Sequence, residues 1–242
     1  MKKALVTGAS RGIGRAIALS LAKDGFKVYI NYVSDSTKAQ QVKDIIELSG
    51  GECELVQCDL TSVSCAEDIA KAVDCIDVLV LNASIQYRNS WDKITMEEFD
   101  TQINCNWRSS LLLIQKFMPK MVENGWGRVI TIGSVQERKP HPDMLVYSST
   151  KAALTLMAQS LSLQVADSGV TVNSVAPGVI NTDRNATALS DAEYAKQVMA
   201  KIPMNRCGAP EDCAGIVSFL CTDAASYITG QNIFVDGGMG IK

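Results

Sequence analysis

The sequence predicts an α/β fold in which a doubly wound parallel sheet of about seven strands carries helices on both faces. Short apolar segments of strand length alternate with longer amphipathic segments along the whole 242-residue chain, and such alternation is typical of βαβ units. Val78–Leu81 consists of aliphatic residues, as expected of a strand that is covered on both faces. Right-handed crossovers between parallel strands then place helices on both sides of the sheet.

The predicted strands are short and rich in aliphatic or β-branched residues, which is the usual composition of buried strands. In chain order they are Lys3–Thr7, Val28–Tyr32, Glu54–Cys58, Val78–Leu81, Arg128–Ile132, Val170–Val175 and Asn232–Val235.

The predicted helices repeat apolar residues at helical spacing. In the first, Ile13, Ile17 and Leu21 share one face, and in the second Val42, Ile45 and Ile46 lie on one side. In chain order the helices are Ile13–Lys23, Thr37–Leu48, Ser64–Val73, Phe99–Met121, Ser149–Val165 and Glu211–Leu220.

The domain organisation follows from the same pass along the chain. No linker rich in Pro or Ser, no low-complexity tract and no internal repeat interrupts the pattern, so we expect one domain over residues 1–242. The polar segment Asn181–Met204 breaks the alternation and has helical spacing in its middle. An insertion there would lie at the carboxyl edge of the sheet, where it could act as a lid over a ligand.

Composition excludes several function classes. The formal net charge is −3 and no run of Lys and Arg occurs, which argues against a nucleic-acid surface. No apolar stretch approaches the ~20 residues of a membrane span, and no signal peptide is recognised. The eight cysteines form no Cys-x-x-Cys pair and the single histidine has no ligand cluster around it. We therefore expect no metal site, free buried thiols and a cytoplasmic protein.

A glycine-rich turn follows the first strand, with the spacing Gly-x-x-x-Gly-x-Gly at Gly8, Gly12 and Gly14. Glycines permit a tight turn from strand to helix and let a diphosphate approach the backbone. The free N–H groups at the start of the next helix then bind the phosphate charge. This pattern indicates a dinucleotide site, although a plain turn before a helix would also contain glycines.

The candidate catalytic residues lie after later strands. Tyr147 and Lys151 are four residues apart and so share one helix face, a spacing that by itself also fits a solvated surface. Ser134 follows the fifth strand, and Pro177-Gly178 follows the sixth. Because ligands bind at the carboxyl ends of parallel strands, these residues are expected to meet at one edge of the sheet.

In this order and spacing, the chain resembles the classical short-chain dehydrogenases/reductases over its entire length. The stretches Arg128–Ser134, Val170–Asp183 and Tyr227–Met239 are similar to the 3-oxoacyl-acyl-carrier-protein reductase branch. The residues that carry the resemblance are Gly8, Gly12, Gly14, Asp59, Asn82, Ala83, Asn106, Ser134, Tyr147, Lys151, Pro177 and Gly178.

The resemblance implies a Rossmann fold and a tetrad of catalytic residues. Tyr147 would be the general acid or base, Lys151 would lower its pKa and hold the nicotinamide ribose, and Ser134 would bind the substrate oxygen. Asn106 would support a water that relays protons to Lys151. The implied cofactor-binding residues are Gly8, Ser10, Arg11, Gly12, Ile13, Gly14, Asp59, Leu60, Asn82, Ala83, Tyr147, Lys151, Pro177, Gly178, Ile180 and Thr182.

NADP(H) is the expected cofactor, with NAD(H) as the alternative. Enzymes that use NAD usually carry an acidic residue at the end of the second strand, whereas this chain reads Asn31-Tyr32-Val33-Ser34 there. Arg11 inside the glycine turn offers a positive charge to a 2′-phosphate. One departure from the family pattern is Ser84, which stands where glycine is usual and adds a hydroxyl close to the cofactor.

Two substrate classes remain open. Overall similarity favours a 3-oxoacyl thioester, delivered by an acyl carrier protein that basic residues such as Arg128 would dock near the entrance. Ser168, where a basic residue is common, and the charged loop Gln136–Asp143 favour a sugar, aldonate or polyol. A catalytically silent NADP-binding regulator is disfavoured by the intact tetrad. The resemblance also implies a homotetramer built through Phe99–Met121 and Ser149–Val165.

Overall fold

The computed structural model describes residues 1–241, apart from the side chains of 187–189. Its centre is a seven-stranded parallel sheet with the strand order β3-β2-β1-β4-β5-β6-β7, so the predicted fold class is confirmed. The strands are β1 Lys3–Val6, β2 Lys27–Tyr32, β3 Cys53–Gln57, β4 Val78–Leu81, β5 Gly127–Ile132, β6 Val170–Pro177 and β7 Asn232–Val235.

The helices connect these strands and cover both faces of the sheet. They are α1 Gly12–Lys23, α2 Ser36–Leu48, α3 Cys65–Ala72, α4 Met96–Ile103, α5 Ser109–Glu123, α6 Leu145–Val165, α7 Asp183–Leu189, α8 Ala192–Met199 and α9 Pro210–Leu220. α7 and α8 form the helical part of the predicted insertion between β6 and the last long helix.

Two apolar clusters lie on opposite faces of the sheet because side chains alternate along each strand. In β1, Ala4 and Val6 belong to the cluster that packs under α1, α2 and α9. Leu5 belongs to the cluster that packs under α3, α5 and α6. The sheet is therefore buried on both sides, which explains the continuous aliphatic strands in the sequence.

The prediction of one continuous helix over Phe99–Met121 is wrong. The chain forms α4 and α5 joined by a π-helical segment, Asn104–Arg108. α4 also begins earlier, at Met96, where the Thr95 side chain accepts from the Glu98 backbone N–H and the Glu98 carboxylate accepts from the Thr95 backbone N–H. The π segment contains Asn106, one of the candidate catalytic residues.

The cysteines are all free, and six of the eight are buried. Cys53 and Cys213 show the consequence, since burial raises the pKa of both thiols to about 12. Such thiols behave as small apolar side chains rather than nucleophiles. Within the described part of the chain, no helix is both long and apolar enough to cross a membrane.

Candidate active site

The candidate site is a cleft of about 1080 Å³ along the carboxyl edge of the sheet. β1 and β4 are neighbours in the sheet although β2 and β3 come between them in the chain. The strand order therefore reverses between them, and a doubly wound sheet opens a crevice at such a point. Every residue implied by the resemblance lines this cleft except Asn106, which lies buried behind it.

The glycine turn is shaped by backbone crowding. Gly8 and Gly12 have positive φ values of +62° and +57°, which favour glycine. A Cβ on Gly14 would lie 2.5 Å from both the Gly8 carbonyl oxygen and the Asn82 Nδ2, so only glycine fits there without a shift of the backbone. α1 begins at Gly12 with no side chain capping its first turn. Its leading N–H groups are available to a phosphate, and the turn fits the diphosphate of a dinucleotide.

Thr7 ties the glycine turn to the end of β4. Its hydroxyl oxygen accepts from the backbone N–H groups of Asn82 and Ala83 at 2.8 and 3.0 Å. Asn82 in turn donates from Nδ2 to the carbonyl oxygens of Thr7 and Gly8 at 2.8 and 3.1 Å. The loops after β1 and β4 therefore form one rigid wall. Sequence reasoning did not assign a role to Thr7, because its partners are far away in the chain.

Three of the four candidate catalytic side chains meet at the wall formed by β5 and α6. Tyr147 and Lys151 are buried on one face of α6, and the Lys151 ammonium lies 5.6 Å from the centre of the Tyr147 ring. Lys151 donates from Nζ to the Ile132 carbonyl oxygen at 2.7 Å, which fixes it at the end of β5. The Ser134 hydroxyl lies two residues further on and accepts from the Gln136 backbone N–H at 3.2 Å.

The environment of Lys151 weakens its hold on a proton. Burial in the cleft wall, and then the positive charge of Arg184, lower the pKa of Lys151 from 10.5 to about 7. Desolvation penalises the charged ammonium, and a nearby cation penalises it further. An amine in this range can exchange protons near neutral pH.

Asn106 supports the site from the π segment. Its Oδ1 accepts from the Ile85 backbone N–H at 2.8 Å, and its Nδ2 donates to the Ile85 carbonyl oxygen at 2.9 Å. Nδ2 also lies 3.1 Å from the Thr150 hydroxyl oxygen, which precedes Lys151. π-helical turns inside α-helices occur frequently at functional sites. Here the turn allows Asn106 to join the loop after β4 to α6.

The segment after β6 closes the outer side of the cleft. Ile180 is buried, and a Cβ on Gly12 would lie 3.4 Å from Thr182 Cγ2, so Thr182 packs against the glycine turn. The next two residues, Asp183 and Arg184, reach opposite rims of the cleft. Asp183 pairs with Lys38 of α2 at 2.8 Å, whereas Arg184 donates to the hydroxyl and the carbonyl oxygens of Ser84 at 3.0 and 2.6 Å. Sequence reasoning missed Arg184, because its partner Ser84 lies 100 residues away in the chain.

Charge is distributed unevenly among the described residues that line the cleft. The acidic ones, Asp35, Asp59 and Asp183, follow β2, β3 and β6, and Asp183 faces α2 through Lys38. The basic ones come from several elements and, besides Arg11 and Lys151, are Arg88, Lys139, His141, Arg184 and Lys201. The loop after Ser134 contributes Gln136, Lys139, Pro140, His141 and Pro142 to the lining, so it lies in the same cleft as Ser134.

His141 has a local structural partner. Its Nδ1 accepts from the Asp143 backbone N–H at 3.2 Å. Among the described residues, no group of three His, Cys, Asp or Glu side chains is arranged to hold a metal ion.

Residues 8–240 match the family model described as enoyl-(acyl carrier protein) reductase. The chain is 39% identical to 3-oxoacyl-(acyl-carrier-protein) reductase FabG of Staphylococcus aureus strain N315, and the alignment covers 98% of each chain. The chain belongs to the short-chain dehydrogenase/reductase family. It is thus an NAD(P)-dependent oxidoreductase, in agreement with the resemblance drawn from its motifs.

Solved short-chain dehydrogenase/reductase structures have the same fold. A protein assigned as a gluconate dehydrogenase from Agrobacterium tumefaciens superposes with a TM-score of 0.95 at 30% identity, over 100% of this chain and 96% of that one. A 3-oxoacyl (acyl-carrier-protein) reductase from A. tumefaciens C58 with NADP bound gives a TM-score of 0.92 at 36% identity, over 98% and 93% of the two chains.

Arg128 requires a correction. It was expected near the entrance of the cleft, but it lies at the amino end of β5, about 20 Å of strand away from Ser134 at ~3.3 Å per residue. The side chain is 2% exposed, stacks on Trp126 and donates to the carbonyl oxygens of Gly127, Gly169 and Thr222. Buried guanidinium groups need such partners, so Arg128 fixes loops at the opposite edge instead of facing the cleft of its own chain.

Proposed function

We propose that this short-chain dehydrogenase/reductase is an NADP(H)-dependent 3-oxoacyl thioester reductase that converts the 3-ketone to a secondary alcohol. The observation that carries the proposal is the convergence of Ser134, Tyr147 and Lys151 in one cleft with the glycine turn. The 39% identity to a 3-oxoacyl-(acyl-carrier-protein) reductase over nearly the full chain supports this substrate class.

The four candidate catalytic residues have different roles in the proposed reaction. The nicotinamide cofactor supplies the hydride when bound. Ser134 donates a hydrogen bond to the substrate ketone oxygen as negative charge develops there. Tyr147 gives its phenolic proton to the same oxygen, and the positive form of Lys151 eases the loss of that proton. Asn106 holds α6 and the loop after β4 in register, and through Thr150 it lies beside Lys151.

Three features support NADP(H) over NAD(H). No carboxylate occurs from Asn31 to Ser34, and Asp35 is occupied as the cap of α2, where it accepts from the Lys38 backbone N–H at 3.0 Å. Arg11 lines the same end of the cleft, where it can pair with a 2′-phosphate. Related structures with NADP bound point the same way.

A second candidate is an aldonate dehydrogenase on the same scaffold. It is favoured by the basic residues that line the cleft, among them Arg88, Arg184 and Lys201, because a carboxylate substrate is attracted by several cations in a cleft. The protein assigned as a gluconate dehydrogenase has a closely similar fold. In this case the loop after Ser134 would determine specificity.

The assembly and its context are part of the proposal. We expect one domain over residues 1–242, with residues 181–204 as a lid, and a cytoplasmic enzyme of fatty acid biosynthesis that accepts its substrate from an acyl carrier protein. Leu156 and Leu163 on α6 are 63% and 83% exposed, and Leu111 on α5 is 39% exposed. Burying such apolar side chains between copies favours a homotetramer through α5 and α6. Light scattering at several protein concentrations measures this.

The test is NADPH oxidation, followed by absorbance, with acetoacetyl thioester and a panel of keto-sugars and keto-aldonates measured side by side. Fast turnover of the thioester alone supports the proposed function. Fast turnover of a keto-aldonate alone replaces it with the second candidate. Turnover of neither class, with NADPH binding intact, contradicts both.

A further inference from the structure

The path of the cofactor crosses the end of β4. The diphosphate is expected at the glycine turn after β1, and Lys151 stands at the end of β5 through its bond to Ile132. β4 lies between β1 and β5 in the sheet. A dinucleotide that reaches from the glycine turn to Lys151 must therefore pass over the loop Asn82–Ser84.

Arg184 bridges this path. It belongs to α7 of the lid, yet its two terminal nitrogens donate to Ser84 on the far rim. Thr182, two residues earlier, packs against Gly12 of the glycine turn. The lid thus places a guanidinium between the expected diphosphate position and the catalytic lysine.

The Arg184 guanidinium has hydrogen-bond donors beyond the two that bind Ser84. A guanidinium carries five N–H donors in a planar fork that suits phosphate oxygens. Within the described part of the chain, the Arg184 side chain makes two hydrogen bonds, both to Ser84, so three donors remain. The neighbouring carboxylate of Asp183 is paired with Lys38 and does not neutralise it.

The positive charge of Arg184 affects the pKa of Lys151. It is the second-largest cause of the lowered pKa of Lys151, after burial. Two cations that repel each other in one cleft gain from an anion between them. A diphosphate in the cleft supplies that anion, whereas a neutral ketone does not.

We propose that Arg184 is a cofactor-binding residue of the lid, whose guanidinium binds the diphosphate of NADP(H) where the cofactor passes Ser84. Ser84 holds the guanidinium in place, which gives a role to the hydroxyl that departs from the family pattern. The inference rests on the proposed NADP(H) cofactor and is independent of the substrate.

The experiment measures the NADPH dissociation constant by nicotinamide fluorescence, without substrate. The variants are Arg184→Met, Arg184→Lys and Ser84→Gly. Lys23→Met is the matched control because it removes one charge from an exposed side chain at the end of α1, on the other edge of the sheet. Adenosine 2′-phosphate, which lacks the diphosphate, is titrated by competition, and proteolysis of the lid is followed with and without NADPH.

Arg184→Met is expected to weaken NADPH binding about 10- to 100-fold, the usual value of charge-assisted hydrogen bonds. Arg184→Lys should recover part of the loss, and Ser84→Gly, which keeps the carbonyl oxygen, should lose less than either. Binding of adenosine 2′-phosphate should stay within about twofold, and NADPH should protect the lid of the wild type more than that of Arg184→Met.

An NADPH dissociation constant for Arg184→Met within twofold of the wild type overturns the inference and leaves the proposed function intact. An equal loss of NADPH and adenosine 2′-phosphate binding also overturns it, because the damage would then not be specific to the diphosphate. A wild-type protein that binds no NADPH overturns both this inference and the proposed function.

Discussion

Replacing Lys151 by Met should stabilise the folded protein at low pH while destroying its activity. The lowering of the Lys151 pKa from 10.5 to about 7 corresponds to ~5 kcal/mol, at 1.36 kcal/mol for each tenfold change in proton affinity. Below pH 7 the wild type carries this whole penalty, because the buried amine is charged in both the folded and unfolded states. Met has a similar length and no charge to bury.

Two effects determine how Lys151→Met changes the free energy of unfolding. The variant loses the hydrogen bond to the Ile132 carbonyl oxygen, and an unpaired buried acceptor costs ~1–3 kcal/mol. The expected gain at pH 6 is therefore ~2–4 kcal/mol in the free energy of unfolding. Between pH 7 and 10.5 the folded wild type binds fewer protons than the unfolded chain, so its stability rises with pH. The advantage of the variant should thus shrink by ~3 kcal/mol from pH 6 to pH 9.

The assay is urea unfolding of both proteins without cofactor, at one protomer concentration and at several pH values between 6 and 9. Subtracting the two curves cancels the other titrating groups. Lys23→Met, at an exposed lysine, provides the control for removing one lysine charge from the surface. A difference for Lys151→Met that stays constant, or grows with pH, would refute the assignment of Lys151 as a strongly desolvated amine.

Three further predictions concern the cleft. Gly14→Ala places a Cβ 2.5 Å from Asn82 Nδ2 and should cost ~1–3 kcal/mol of stability together with most of the NADPH affinity; unchanged fluorescence and urea curves would contradict the packing argument. Asn106→Ala loses its paired bonds to Ile85 and should destabilise the fold by ~2–4 kcal/mol while lowering kcat, as urea unfolding and steady-state kinetics measure. Tyr147→Phe should reduce kcat at least ~100-fold with the NADPH dissociation constant within about twofold, and preserved turnover would rule out the phenolic proton donor.

Much of the fold could be predicted because the sheet is covered on both faces. Continuous aliphatic runs such as Val78–Leu81 are typical of strands that are covered on both faces, and the structure places all seven predicted strands within two residues of their expected ends. The start of α6 was harder. It begins at Leu145, four residues before the predicted Ser149, because the preceding loop gives no capping signal: the residue before the helix, Met144, makes no side-chain cap.

Only part of the candidate site could be predicted from the sequence. The glycine turn and the Tyr147–Lys151 spacing are local patterns, so the sequence displays them directly. Arg184 and Thr7 act through partners 100 and 75 or more residues away, and such pairs have no local signature. Arg128 shows the reverse error, in which a charged residue at a family position was given a surface role although tertiary packing buries it.

The π-helical segment Asn104–Arg108 has a consequence for how the chain tolerates insertions and deletions. A π turn contains one residue more than the α-helical turn it replaces, so the faces of α4 and α5 are set about 100° apart from where an unbroken helix would put them. Deleting one residue here would give better backbone hydrogen bonding and a straighter helix, yet it would swing Asn106 away from Ile85. The number of residues in this segment therefore fixes the position of the candidate catalytic residue Asn106 relative to Ile85.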